Sequence, residues 1–302
     1  MAHLSCLYHP SELELTWTST RQHNRICRTG ANQSAEALVA WLDYAQNTAP
    51  SRPRNGEQRR AISWFHCAGQ TEYIEPLTGW GRHPYADVCY PKWSGEHHVL
   101  LEDTRYLVPS SARGPRQPPR GARTILFDAG CSGPNATNGQ PTSVPFLVSL
   151  YERHGMAIDR IYAWELREHN PKLWWHGLSQ RMRAITTFFN VGVEPEPAAI
   201  DAASVLGLIR EVARPEDFVV LKLDIDHART EMSIMRGIAE DPSLLQLVDE
   251  LYYEAMWAWG PSERHTIMEK FWGPIARHQT VDEVLNLMVR LRKRGVRAHF
   301  WT

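Results

Sequence analysis

The chain has 302 residues, 43% of them hydrophobic, which is enough for a full core and excludes a globally disordered chain. Lys plus Arg (33) nearly balances Asp plus Glu (34), so there is no overall positive field to gather nucleic acid. No run of 18 apolar residues occurs, and residues 1–28 hold no continuous hydrophobic region, so the expectation is a soluble, cytoplasmic protein with no membrane partner and no signal peptide.

The five cysteines (Cys6, Cys27, Cys67, Cys89 and Cys131) are odd in number and contain no C-x-x-C pair, which argues against a disulfide framework and a zinc knuckle. The twelve tryptophans are expected to serve mainly as core anchors, with some lining a cleft. In chain order, residues 34–46 read as a helix: Ser34 caps it, and Leu38, Trp41, Leu42 and Ala45 form an apolar face at helical spacing. Residues 48–60 form a Pro/Arg/Asn/Gly loop. Residues 61–69 are a buried helix or strand, and 73–90 are irregular but packed. Strand character returns at Val99-Leu100-Leu101 and Tyr106-Leu107-Val108. Residues 110–122, with Pro115, Pro118 and Pro119 among arginines and glycines, make the clearest linker. The division is set there, between an N-terminal extension over 1–120 and a core over 121–302.

Beyond that linker, strands alternate with helices. Strands are expected over 124–128, 160–165, 184–190, 218–225, 250–255 and 296–301, and helices over 144–154, 202–212, 230–238 and 281–294. This order implies an α/β fold with a mostly parallel sheet and right-handed crossovers. The unbroken apolar run Phe218-Val219-Val220-Leu221 fits a strand covered on both faces.

Three strand ends carry chemistry. The first strand ends at Asp128, followed by Ala129-Gly130-Cys131-Ser132-Gly133. A buried strand running into a glycine turn is how many α/β domains hold a nucleotide-like cofactor. The spacing is D-x-G-x-x-G, with an acid in place of the first glycine of a dinucleotide turn. That carboxylate would repel a pyrophosphate and suit a ligand with a cationic end, such as the ammonium and sulfonium of S-adenosylmethionine. An Asn/Gly/Thr-rich insertion over 134–141 makes Gly139 a competitor for the place of Gly133. Glu165 closes the second strand, where an acid can accept ribose hydroxyls. Lys222-Leu223-Asp224-Ile225-Asp226-His227 closes the fourth. Strand alternation would send Asp224 and Asp226 to one face, and neighbouring acids raise one another's pKa, which suits a general base. Asp226 reads equally well as the cap of a helix beginning near Ala228.

These residues resemble a class I S-adenosylmethionine-dependent methyltransferase of the FkbM-like type. That family carries an Asp-x-Gly turn, a Glu after the second strand, and a fourth strand reading Lys-Ile-Asp-x-Glu-Gly with a further Glu beyond; here the run is Lys222 to Asp226, with Glu231 following. The likeness is nearer still to a group of uncharacterised algal and protist proteins. It rests on Ile161-Tyr162-Ala163-Trp164-Glu165, the run Val220 to Asp226, Val248-Asp249-Glu250 and the ending from Arg292 to Trp301. It extends to Ile74-Glu75-Pro76-Leu77 and Arg82-His83-Pro84, and so covers most of 69–302. The resemblance implies a Rossmann-like sheet with helices on both faces, plus an N-terminal extension packed on the core or covering the substrate side. It implies S-adenosylmethionine as cofactor, held by Asp128, Gly130, Gly133, Glu165, Asn190 and Asp224. It also implies O-methylation of a hydroxylated small molecule or sugar. Asp226 or His227 would act as base, Asp224 would orient the ligand, and Glu231 and Glu254 would lie on the substrate side. The family's Glu-Gly pair is Asp226-His227 here, and the acid two positions further on is Arg229. The chain stops after the sixth strand of the pattern, so an N-terminal strand such as Val99-Leu100-Leu101 is expected to fill the edge where class I enzymes place a seventh.

Other readings of the same residues stay open. Asp224-Ile225-Asp226 is a D-x-D of the kind by which glycosyltransferases hold a metal and a sugar nucleotide. The altered Glu positions also fit a binding protein that kept the fold and lost turnover. Gly130-Cys131-Ser132-Gly133 half-matches the G-x-S-x-G nucleophile elbow, but the last position is Pro134. His97, His98, His169 and His176 lack metal-ligand spacing, and no metal is expected.

Overall fold

The computed structural model describes residues 6–17, 60, 62–77, 104, 106–132, 143–195, 203–255 and 281–301. In chain order the elements begin with β1 (Cys6–His9), α1 (Glu12–Trp17), β2 (Ser63–Cys67) and β3 (Gln70–Ile74). They continue with β4 (Thr124–Ala129), α2 (Ser143–Arg153), β5 (Arg160–Trp164), α3 (Pro171–His176), α4 (Gln180–Ile185) and β6 (Thr186–Phe189). The remainder are α5 (Val205–Val212), β7 (Phe218–Leu223), α6 (Ala228–Glu240), α7 (Pro242–Leu245), β8 (Glu250–Glu254), α8 (Val281–Lys293) and β9 (Arg297–Trp301). The helix expected over 34–46, the strand at Val99-Leu100-Leu101, Gly133 and the 134–141 insertion lie outside the described residues. Among those residues no helix is long and apolar enough to cross a membrane.

The chain divides into two compact units. One holds residues 109–253; the other draws on 5–108 together with 254–302. The C-terminal helix and strand, which the sequence groups with the core, therefore cluster with the N-terminal segment.

In the 109–253 unit the strands run β6-β5-β4-β7-β8, each pair parallel, and helices flank the sheet. All six residues of β4 and all six of β7 are buried, as expected of strands covered on both faces. β5 and β6 lie to one side of β4, whereas β7 and β8 lie to the other. Strand order thus reverses between β4 and β7, which is where open α/β sheets leave a crevice at the strands' carboxyl ends. Local chemistry fixes the helix starts. Asn170 caps α3 by accepting from Lys172 N, Ser179 caps α4 from Met182 N, and Ser204 caps α5 from Gly207 N. The Ser179 cap explains why the strand expected over 184–190 starts only at Thr186: the short helix Gln180–Ile185 precedes it.

Two expectations are corrected. Residues 110–122 are not a free linker but a string of tight turns docked on their unit. Gly114 N donates to Ser111 O, Ala122 N to Pro119 O, and Ala112 N to His154 O, while Ser110 N donates to the buried Glu250 carboxylate at 3.1 Å. Proline and glycine there set turn geometry rather than looseness. Tyr106-Leu107-Val108 is buried but not a strand.

In the second unit β1, β2 and β3 form an antiparallel sheet. β2 and β3 are joined through Ala68 (φ 48°) and Gly69 (φ 81°), the positive-φ pair that suits a two-residue hairpin. Cys6 and Cys67 are register partners and are joined by a disulfide. This corrects the reading of the cysteines: an odd total and the lack of a C-x-x-C pair say nothing about two cysteines 61 residues apart that sheet register brings face to face. The same unit buries a polar network. The Arg292 guanidinium bonds Ala298 O (2.8 Å), Tyr8 Oη (2.9 Å), Glu75 O (2.9 Å) and Glu14 Oε2 (3.1 Å). Arg297 pairs with Glu72 and donates to the carbonyls of Tyr73 and Val108, and His299 Nδ1 meets Glu75 Oε1 at 2.5 Å.

Candidate functional site

A cavity of about 470 Å³ opens at the carboxyl ends of the parallel strands in the 109–253 unit. Its walls come from the turn after β4 (Gly130, Ser132), the loop after β5 (Glu165 to Arg167, and His169), the loop after β6 (Val191 to Val193) and the loop after β7 (Asp224 to His227), with Thr230 from α6. The crossing between β4 and β7 is unusually close. Gly130 has φ 87°, and a Cβ built on it would lie 1.5 Å from Asp224 O. Asp224 N donates to Ala129 O, and the amides of Gly130 and Cys131 both donate to Trp164 O. Glycine is required at 130 by a neighbouring backbone, before any ligand is considered.

Lys222 is the charge at the centre. It is 1% exposed, and its Nζ lies 2.6 Å from Gly130 O, 3.0 Å from Asp224 Oδ2 and 3.3 Å from Asp128 Oδ1. Burial alone would push its ammonium down, but Asp128 and Asp224 outweigh that and hold the pKa above its ordinary value. Asp128 is fully buried, takes the Ser143 hydroxyl on Oδ2, and does not line the cavity. The acid expected to meet a cationic ligand meets Lys222 instead, its register partner across the sheet. A lysine in an otherwise apolar buried strand, level with an acid on the next strand, was the signal for this pair.

Glu165 and Asp224 do line the cavity. The Glu165 carboxylate accepts Ser132 N (3.0 Å) and Arg167 N (2.7 Å), drawing the turns after β4 and β5 together. Asp224 is partly open, with its side chain 21% exposed and Lys222 behind it. Asp226 also reaches the cavity, but not through strand alternation: β7 stops at Leu223, and Asp226 sits at φ 55°. Desolvation by the surrounding walls, then the charge of Asp224, raises its pKa, against the pull of Arg167. It is not the cap of α6. The cap position is His227, which makes no side-chain cap bond; its Nδ1 pairs with Thr230 Oγ1 at 2.7 Å.

The remaining expected site residues have other surroundings. Asn190 clamps the loop after β5, donating to Glu165 O (2.7 Å) and Arg167 O (2.8 Å) and accepting from His169 N (3.3 Å). Glu231 is fully buried beneath the loop after β7, where Oε1 accepts Ile225 N at 2.8 Å. Burial, with the charges of Asp224 and Asp226, pushes its pKa well above the ordinary carboxyl value, against the Ile225 N–H. Neither residue lines the cavity. Glu254 closes β8, is buried, and is grouped with the second compact unit. Cys131 is a buried free thiol whose pKa burial drives up, so it is poorly placed as a nucleophile.

The sequence reading passed over Leu166, Arg167, His169 and Val191 as site residues, since loops carry no periodicity to mark them. Leu166 is 76% and Val191 39% exposed, two apolar side chains left open at the cavity walls. No family model matches the chain, and no curated protein or solved structure matches it.

Proposed function

We propose that the chain is a class I, FkbM-like S-adenosylmethionine-dependent methyltransferase that O-methylates a hydroxylated small molecule or sugar. One observation carries the reading: the cavity lies at the carboxyl ends of the strands, over the reversal of strand order between β4 and β7, where open α/β sheets take nucleotide-like ligands. Its volume is that of a small-molecule site.

The residues present fit such a cofactor. A carboxylate has about four lone-pair sites, and Glu165 uses two on backbone amides, which leaves capacity for ribose hydroxyls. Leu166 and Val191 offer open apolar surface for a base. Asp224 offers a partly open carboxylate to an ammonium, while Asp128 contributes only through Lys222. The bound cofactor would supply an activated methyl group on a sulfonium.

The chain's own residues then have three tasks. The walls orient the acceptor, and alignment of this kind contributes about 7–11 kcal/mol to methyl transfer. Asp226 takes the acceptor hydroxyl's proton, its raised pKa moving it toward the range where a base works best. His227, oriented by Thr230, flanks it. Titration calorimetry with S-adenosylmethionine tests the reading: saturable heat supports it, and no binding at about 1 mM removes it. Binding without transfer to any hydroxylated acceptor would leave a cofactor-binding protein.

A further inference from the structure

We propose that Arg167 and His169 form a receiving site for an anionic group, a carboxylate or phosphate, on the ligand whose hydroxyl faces Asp226. That this ligand is a methyl acceptor rests on the methyltransferase reading; the anion site itself does not.

The loop after β5 is built to present these two side chains. Glu165 Oε1 holds Arg167 N, Asn190 Nδ2 holds the carbonyls of Glu165 and Arg167, and Asn190 Oδ1 holds His169 N. The next residue, Asn170, caps α3 and fixes the loop's far end. An exposed loop pinned at four backbone groups loses little freedom when a ligand arrives. Its two nitrogen-bearing side chains, however, are not used by the fold. The Arg167 side chain lines the cavity and makes no hydrogen bond or ion pair among the described residues. His169 also lines the cavity, and its enclosed Nε2 finds no hydrogen-bond partner there. An enclosed polar atom without a partner is costly, and a turn of the ring into the cavity that His169 lines would let a ligand oxygen relieve it.

The charges in the cavity agree. Glu165 is answered by two amides and Asp224 by Lys222, so neither carboxylate claims Arg167. Asp226 is the acid near enough for Arg167 to lower its pKa. Two nitrogen-bearing residues on the wall of one cavity, one with a guanidinium fork and one with an imidazole, are suited to a carboxylate or phosphate. The geometry therefore selects an acceptor with a hydroxyl at the Asp226 end and an acid group at the Arg167 end: a hydroxy acid or a phosphorylated sugar.

The test follows backbone amide shifts in the full chain as inorganic phosphate, and separately acetate, is added, in the absence and presence of S-adenosylmethionine. Saturable shifts at residues 165–169 are expected from at least one anion, and the better of the two names the acid group. The R167Q and H169Q variants, at cavity-wall positions, are each expected to weaken that affinity about tenfold, with R167K recovering part of it. Affinity for S-adenosylmethionine, measured in the same variants, should stay within about twofold of wild type. No saturation by either anion at about 50 mM, or equal affinity in wild type and both Gln variants, overturns the proposal. A parallel loss of S-adenosylmethionine affinity overturns it too, since the pair would then serve the cofactor. Anion binding in a chain that ignores S-adenosylmethionine would leave this site standing and remove only the methyltransferase reading.

Discussion

Both compact units bury a cation against acids, but they do so differently. In the second unit Arg292 and Arg297 are fully buried, and their bonds go to carbonyls, a tyrosine and acids that are themselves buried. In the 109–253 unit Lys222 begins a gradient. Asp128 beneath it is sealed, Asp224 beside it is partly open, and Asp226 beyond is exposed to the cavity. The first arrangement gives charge no route to solvent or ligand, so it can only specify packing. The second ends at the wall of a cavity, where charge is open to solvent or a ligand. Burial of the partners, rather than the presence of an ion pair, separates charges sealed into packing from charges open to a cavity.

The contrast can be tested at several strengths. The largest effect is expected from the backbone on which the gradient stands. Gly130→Ala would place a methyl against Asp224 O and strain a positive φ, so a loss of more than about 4 kcal/mol, or failure to fold, is expected in urea melts. Normal stability in that variant would mean that the crossing of β4 and β7 is not as close as described. Arg292→Met comes next. It leaves Glu14 and Glu75 buried without their cation, and about 3–5 kcal/mol should be lost in the same measurement. Asp226→Asn addresses the open end of the gradient. Turnover is expected to fall by about 10²–10⁴ while S-adenosylmethionine affinity and melting temperature hold; unchanged turnover would take the base role away from Asp226.

The smallest effect has a sign fixed by linkage. Burial raises the pKa of Glu231 above its ordinary 4.5, so the native state keeps a proton that the unfolded chain releases. The stability tied to that proton is complete below about pH 4.5 and drains away as pH rises toward the raised value. Glu231→Gln keeps the shape and lacks the slope. It should match wild type in acid and exceed it by about 1 kcal/mol near neutrality, as read from melts across pH. A difference that does not change with pH would show that Glu231 is ionised in the folded protein.

Much of this was legible from one chain, for identifiable reasons. β4 and β7 announced themselves because strands covered on both faces carry near-continuous apolar runs, here Ile125-Leu126-Phe127 and Phe218-Val219-Val220-Leu221. Glu165, Asp224 and Asp226 were found because a parallel sheet brings its strand ends to one side. The role of Asp128 was not, because what a strand-end acid faces depends on register, and Lys222 became its partner only once β4 and β7 were aligned. Asn190 and Glu231 were expected at the ligand, but neither lines the cavity: the Asn190 amide and Oε1 of Glu231 bond nearby backbone, a choice no spacing reveals. Arg167 and His169 sit in a loop whose shape comes from Asn190, 21 residues beyond His169.

The bond between Cys6 and Cys67 makes the redox history of a preparation part of what is being measured. Its loop, closed across 61 residues, carries a chain-entropy contribution of about 4 kcal/mol. Such bonds are rare in the reducing cytosol, so the compartment chosen for expression decides whether a sample carries the cross-link. A preparation lacking it would be heavier by two hydrogens under non-reducing mass spectrometry and would melt earlier. The two forms should be separated before any of the stabilities above are compared.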